Sequence, residues 1–94
     1  MKTTHILISG RVHNMGFRRF VQSNARKIGI NGWVRNIGKN QVEIVLQSKD
    51  NHKIDRLIDI YKVGPFMSQV KNIEYKQIKE DNIFTQFSIL ESIT

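Results

Sequence analysis

The stretch Gly10-Arg11-Val12-His13-Asn14-Met15-Gly16-Phe17-Arg18 decides how this chain is read. Before it, Thr4 to Val12 alternates, with Ile6, Ile8 and Val12 on one face and His5, Leu7 and Ser9 on the other. A period of two marks a half-buried strand. After it, Phe17, Phe20, Val21, Ala25 and Ile28 draw one apolar stripe on a helix, and Gly29 supplies a C-terminal stop. The stretch is therefore a loop between a strand and a helix. The first N–H groups of a helix lack intrahelical partners and carry the positive end of its dipole. With further N–H groups from the loop they form a cradle for a phosphate or carboxylate. Arg18 stands where its guanidinium can fork onto two oxygens of such an anion. A nucleotide-binding P-loop is excluded: five residues separate Gly10 from Gly16, and Phe17-Arg18 replaces the required Lys-Ser/Thr.

Working outward, Asn31 to Ile37 reads as a strand, Gly38-Lys39-Asn40 as a turn, and Gln41 to Gln47 as a second strand of a hairpin. Ser48, Asp50 or Asn51 is placed to cap a second helix carrying Ile54, Leu57, Ile58 and Tyr61, which ends at Gly64-Pro65. Ser68 to Ile78 reads as a strand, Glu80-Asp81-Asn82 as a turn, and Phe84 to Leu90 as a last strand. The order is strand, helix, strand, strand, helix, strand, with a strand added. This predicts an α+β, ferredoxin-like (split βαβ) sandwich: an antiparallel sheet of four to five strands with two helices on one face. Residues 1–94 are expected to form a single domain.

Composition bounds the function without choosing it. A chain of 94 residues buries roughly 60–70% of its unfolded surface, enough for one modest core. The 39% hydrophobic and 24% charged content is that of an ordinary globular protein. No cysteine is present, which removes disulfides and thiol chemistry. Ile6-Leu7-Ile8 is too short for a signal-peptide core, and nothing approaches a membrane span, so the expectation is cytoplasmic, with no membrane partner. The formal charge of +7 favours anionic partners, though much of it reads as solvated surface lysine.

Gly10-Arg11-Val12, Gly16-Phe17-Arg18, Gly32-Trp33-Val34-Arg35-Asn36, Val42-Glu43 and Gly64-Pro65 together resemble the acylphosphatase family. They follow its order and spacing from Thr4 to about Ile89. The resemblance implies the same fold. It also implies a metal-free hydrolase without cofactors, converting small-molecule acyl phosphates to carboxylate and inorganic phosphate. Where the family loop carries glutamine, glycine and valine, this chain has His13, Asn14 and Met15. Asn14 in a glycine's place predicts a left-handed backbone there, since asparagine is among the few other residues that tolerate it.

The candidate catalytic residues are Arg18 and Asn36, and the candidate phosphate loop is His13, Asn14, Met15, Gly16, Phe17 and Arg18. On position alone Arg18 is equally a surface arginine, and Asn36 is more naturally a turn residue before Gly38. The resemblance reverses the second reading and implies that Asn36 orients the attacking water. An amide can accept from a water and donate to a phosphoryl oxygen at once. Arg19 falls off the apolar stripe and is expected to point to solvent. His13 reads as an exposed loop side chain, although a titrating imidazole beside an anion would bring pH dependence. Trp33, Phe17 and Phe20 are expected to pack. His5 and His52 are far apart, so no metal site is expected.

Two rivals remain at this level. One is a nucleic-acid-binding module on the same fold, disfavoured by the scattered basic residues and the lack of an RNP-type motif. The other is an anion-binding domain without turnover, kept open by the altered loop. A monomer is expected, since no heptad or apolar surface stripe is left over.

Overall fold

Strand β1 (Lys2–Arg11) is hydrogen-bonded on both sides in the computed structural model, which describes residues 1–94. It is followed by α1 (Phe17–Ile28), β2 (Asn31–Ile37), β3 (Gln41–Ser48), α2 (Asn51–Val63), β4 (Gln69–Ile78) and β5 (Phe87–Ile89). The sheet order is β4-β1-β3-β2-β5. β1 pairs antiparallel with β3 and with β4, and β3 pairs antiparallel with β2. β1 and β2 therefore run in one direction, β3 and β4 in the other, and a helix joins each parallel pair. This is the interleaved split βαβ arrangement expected from the element order.

The fifth strand departs from the all-antiparallel expectation. β5 runs parallel to β2, with Gly32, Trp33 and Val34 facing Phe87, Ser88 and Ile89. It is also shorter than the predicted 84–90 segment. Upstream of it, side chains take over the backbone groups: Gln47 accepts from the Phe84 N–H at 2.8 Å, and the Asn31 amide donates to the Phe84 carbonyl at 3.0 Å. Backbone groups satisfied this way need no ladder, so the strand pattern of the sequence overshoots the strand.

Both helices cover one face. Ile6 and Ile8 of β1, Val34 of β2, and Val42, Ile44 and Leu46 of β3 meet Phe17, Val21 and Ala25 of α1 and Ile54, Leu57, Ile58 and Tyr61 of α2. Each Val, Leu, Ile or Phe side chain among these contributes about 1.5–3 kcal/mol on leaving water. Tyr61 also ties the helices together, donating its hydroxyl to the Val21 carbonyl at 2.9 Å. Burial pushes its phenol far above the ordinary tyrosine range. Of the three predicted caps for α2, Asp50 is the one used, accepting from the His52 N–H at 2.9 Å. Gly29 ends α1 in a left-handed conformation, as expected.

Trp33 packs, but on the opposite face of the sheet. There the Arg35 guanidinium lies 4.9 Å from its ring centroid. Arg35 and His5 both donate to the Glu43 carboxylate, each at 2.7 Å. A polar ladder thus dresses the face that no helix covers.

Candidate active site

The sheet topology brings the loop after β1 beside the C-terminal end of β2. Because β1 and β2 are parallel, both end at the same edge of the layer. Ile8 and Asn36 are each in register with Val42 of the intervening β3. Adjacent strands lie about 4.8 Å apart, so Asn36 sits two strand spacings across from Ile8, three residues before β1 ends at Arg11.

Local backbone geometry shapes that loop. The β1–β4 register shifts between Ser9 and Gly10, where β1 passes very close to β4. Gly10 has φ 139°, and a Cβ there would stand 2.2 Å from the Gln69 carbonyl oxygen, so only glycine fits the approach. Asn14 has φ 61°, the left-handed conformation predicted from its place in the loop. Gly16, also left-handed at φ 72°, precedes the first residue of α1 and offers no side chain to cap it. The backbone N–H groups of His13, Asn14, Met15 and Gly16 donate to no acceptor within the protein. The loop and the uncapped helix start thus present unpaired donors, the complement of an anion.

Part of this loop and the start of α1 border a cavity of about 460 Å³. Asn14, Gly16, Phe17 and Arg18 line it from the loop and α1, and Asn36 lines it from β2. Five of the residues singled out in the sequence therefore meet in one place. His13 and Met15 do not line it. The His13 imidazole turns away and bonds the Gln41 carbonyl at 2.7 Å, which fastens the loop to the start of β3. It is a half-buried side chain, not an exposed one. His13 and Met15 can serve an anion only through their backbone N–H groups.

Asn36 is not a turn residue. It occupies the inward face of β2 and is only 9% exposed. Its Oδ1 is buried and has no hydrogen-bond partner. An unsatisfied buried acceptor costs about 1–3 kcal/mol. Such groups persist where function uses them or strain demands them. Arg18 is half-buried, its guanidinium makes one hydrogen bond, from Nη1 to the Ser92 hydroxyl at 3.4 Å, and it has no carboxylate partner.

Three lining residues escaped the sequence reading. Val12 lies under the loop. Arg19 is exposed, but it borders the cavity and does not simply project into solvent. Its signal was available: a second arginine in the first helical turn, where the dipole disfavours cations. Ile89 gave no signal, because only the pairing of β5 with β2 brings it there.

The similarity to known proteins extends over nearly the whole molecule. The acylphosphatase family model matches residues 4–89. An acylphosphatase of Methanocella arvoryzae is 42% identical over 79 residues, which is 84% of this chain and 89% of that protein. One from Chlorobaculum tepidum is 38% identical over 89 residues, covering 95% and 96%. The crystal structure of an acylphosphatase from Bacillus subtilis superposes with a TM-score of 0.89 at 32% identity, over 96% of this chain and 99% of that one.

Proposed function

The chain belongs to the acylphosphatase family and hydrolyses acyl phosphates to a carboxylate and inorganic phosphate, and we propose that the cavity between the Val12–Gly16 loop and Asn36 carries this reaction. An acyl phosphate is a mixed anhydride whose leaving group is a stable carboxylate. Little protonation of that group is needed as it departs. Positioning and charge stabilisation then supply most of the rate.

In this reading the unpaired N–H groups of His13 to Gly16 and the start of α1 hold the phosphoryl oxygens. The Arg18 guanidinium forks onto them as charge redistributes in the transition state. The Asn36 amide accepts a hydrogen bond from a water and aims it at phosphorus. The water oxygen forms the new bond, the bond to the acyl oxygen breaks, and the electron pair leaves with the carboxylate. The water's proton passes to a phosphoryl or carboxylate oxygen of the reactants.

The observation that carries this assignment is the unpartnered, buried Oδ1 of Asn36 on a residue bordering the same cavity as Arg18. The test is hydrolysis of benzoyl phosphate with chelator present, spontaneous loss subtracted, for wild type, Arg18→Ala and Asn36→Ala. Turnover by wild type that both variants lose supports the two-residue site. Full activity of Asn36→Ala would remove its water-positioning role. The same reading takes residues 1–94 as a single acylphosphatase-like domain and a monomer. No helix is long and apolar enough to cross a membrane.

A further inference from the structure

A second cavity, of about 650 Å³, adjoins the first and shares Arg19 and Ile89 with it. Its remaining walls are Gln22, Ser23, Arg26 and Lys27, all on α1. Sharing that wall, the two follow one another as a shallow groove from Asn36, past Arg18 and Arg19, along the helix, the second part broad and open to solvent. No acidic side chain lines either part. None of Arg18, Arg19, Arg26 and Lys27 makes a salt bridge.

Helix electrostatics account for only part of this. Arg26 and Lys27 in the last turn of α1 complement the negative end of the dipole. Arg19 stands in the first turn, where the dipole opposes a cation and no acidic residue offsets it. The groove side of the helix is also held in place. Gln22 and Arg26 both donate to the Phe87 carbonyl, at 2.9 and 3.3 Å, which leaves most of the Arg26 donors free. Between the two cationic ends, Ile89 presents an apolar surface that is 40% exposed.

We propose that this groove receives the acyl part of the substrate and that the preferred substrates carry a second anionic group on it. The proposal rests on the site assignment above. With the phosphoryl group in the cradle, the acyl chain lies over Ile89 and its far end meets Arg19, Arg26 and Lys27. Arg18 and Arg26 are eight residues apart, about 12 Å along the helix axis. Long flexible side chains shorten that reach, so a carboxylate or phosphate four to six bonds beyond the acyl carbon fits.

The test compares two acyl phosphates of nearly equal shape, hexanoyl phosphate and adipoyl monophosphate, which differ by a terminal methyl against a carboxylate. An ω-phosphonate analogue distinguishes a carboxylate from a phosphate as the better second anion. Wild type is expected to show kcat/KM about three- to tenfold higher for the terminal anions, as two exposed charge contacts provide. The advantage should shrink with added salt. In Arg26→Gln and in Lys27→Gln the ratio between charged and uncharged substrates should fall toward one, while Lys79→Gln, an equal loss of charge elsewhere, should keep it. Equal kcat/KM for both substrates in wild type, or a preference surviving in both groove variants, overturns the proposal. Salt-sensitive retention of a single-stranded oligonucleotide, lost in the groove variants and accompanied by equal kcat/KM values, overturns it in favour of nucleic acid. Undiminished hydrolysis of both substrates by Arg18→Ala would instead refute the site assignment, and the proposal with it.

Discussion

Ile93 donates its backbone N–H to the carbonyl of Asn36 at 3.0 Å, and the Gly38 N–H returns the contact to the Ile93 carbonyl at 2.8 Å. The segment after β5 thus clamps the backbone of the residue assigned to water positioning. Replacing Ile93 with proline removes the donor. We expect kcat on benzoyl phosphate to fall several-fold, with the inhibition constant for inorganic phosphate little changed and stability lowered by about 1 kcal/mol. A parallel loss of phosphate binding would show that the clamp supports the whole cavity and not Asn36 alone.

Arg18→Ala should lower kcat/KM by about 10²–10³, the usual cost of removing a preorganised electrostatic donor, and should weaken inhibition by phosphate. Arg18→Lys keeps the charge but not the fork. Steady-state kinetics should place it well below wild type, and near-normal activity would argue against a bidentate contact.

Asn36→Ala should separate activity from stability. Turnover is lost and phosphate inhibition persists. The folded state keeps its urea midpoint within about 1 kcal/mol, because the substitution removes a buried acceptor that already lacks a partner. A large destabilisation would show that Asn36 is chiefly structural.

The left-handed backbone at Asn14 gives a paired prediction. Asn14→Gly adopts φ 61° freely and should bind phosphate at least as well as wild type. Asn14→Ala pays about 1–2 kcal/mol to hold that conformation. Isothermal titration with phosphate should show its affinity reduced, with the loop N–H groups no longer aligned.

Glu43 sets part of the acid sensitivity. Its burial pushes the carboxyl upward, but the hydrogen bonds from His5 and Arg35, and then their charges, outweigh burial and hold it below the ordinary carboxylate value. A carboxyl with a lowered folded-state pKa contributes stability that is present above its unfolded pKa. That contribution is lost as pH falls through the folded value. Urea midpoints taken from about pH 6 down to pH 3 should therefore decline more steeply for wild type than for Glu43→Gln. Parallel declines would assign the acid limb to other carboxyls.

Much of this was written in local patterns. The period-two run from Thr4, the apolar stripe from Phe17 to Ile28 and the turn at Gly38-Lys39-Asn40 each depend on neighbours within one or two turns of chain. They predict β1, α1 and the hairpin nearly residue by residue, and Asn14 foretold its own left-handed backbone. Side-chain direction in the loop was not legible. His13 turns onto a carbonyl 28 residues away, a partner that exists only once β3 is docked.

The sequence by itself determined the element order and marked the loop after β1 and Arg18 as a candidate anion site, because these rest on short-range geometry and on residue chemistry; Asn36 became a candidate only through the resemblance to the acylphosphatase family. Tertiary structure decided the rest. Parallel pairing of β5 with β2 placed Ile89 at the cavity, Ile93 in the segment after β5 clamped the Asn36 backbone, and the sheet register set Asn36 inward with its oxygen unpaired. Setting α1's cations beside the candidate anion site likewise took the packed fold. The physical reason is range: hydrogen-bonding across strands far apart in sequence is settled by the global packing of the two helices on the sheet, which no local pattern encodes.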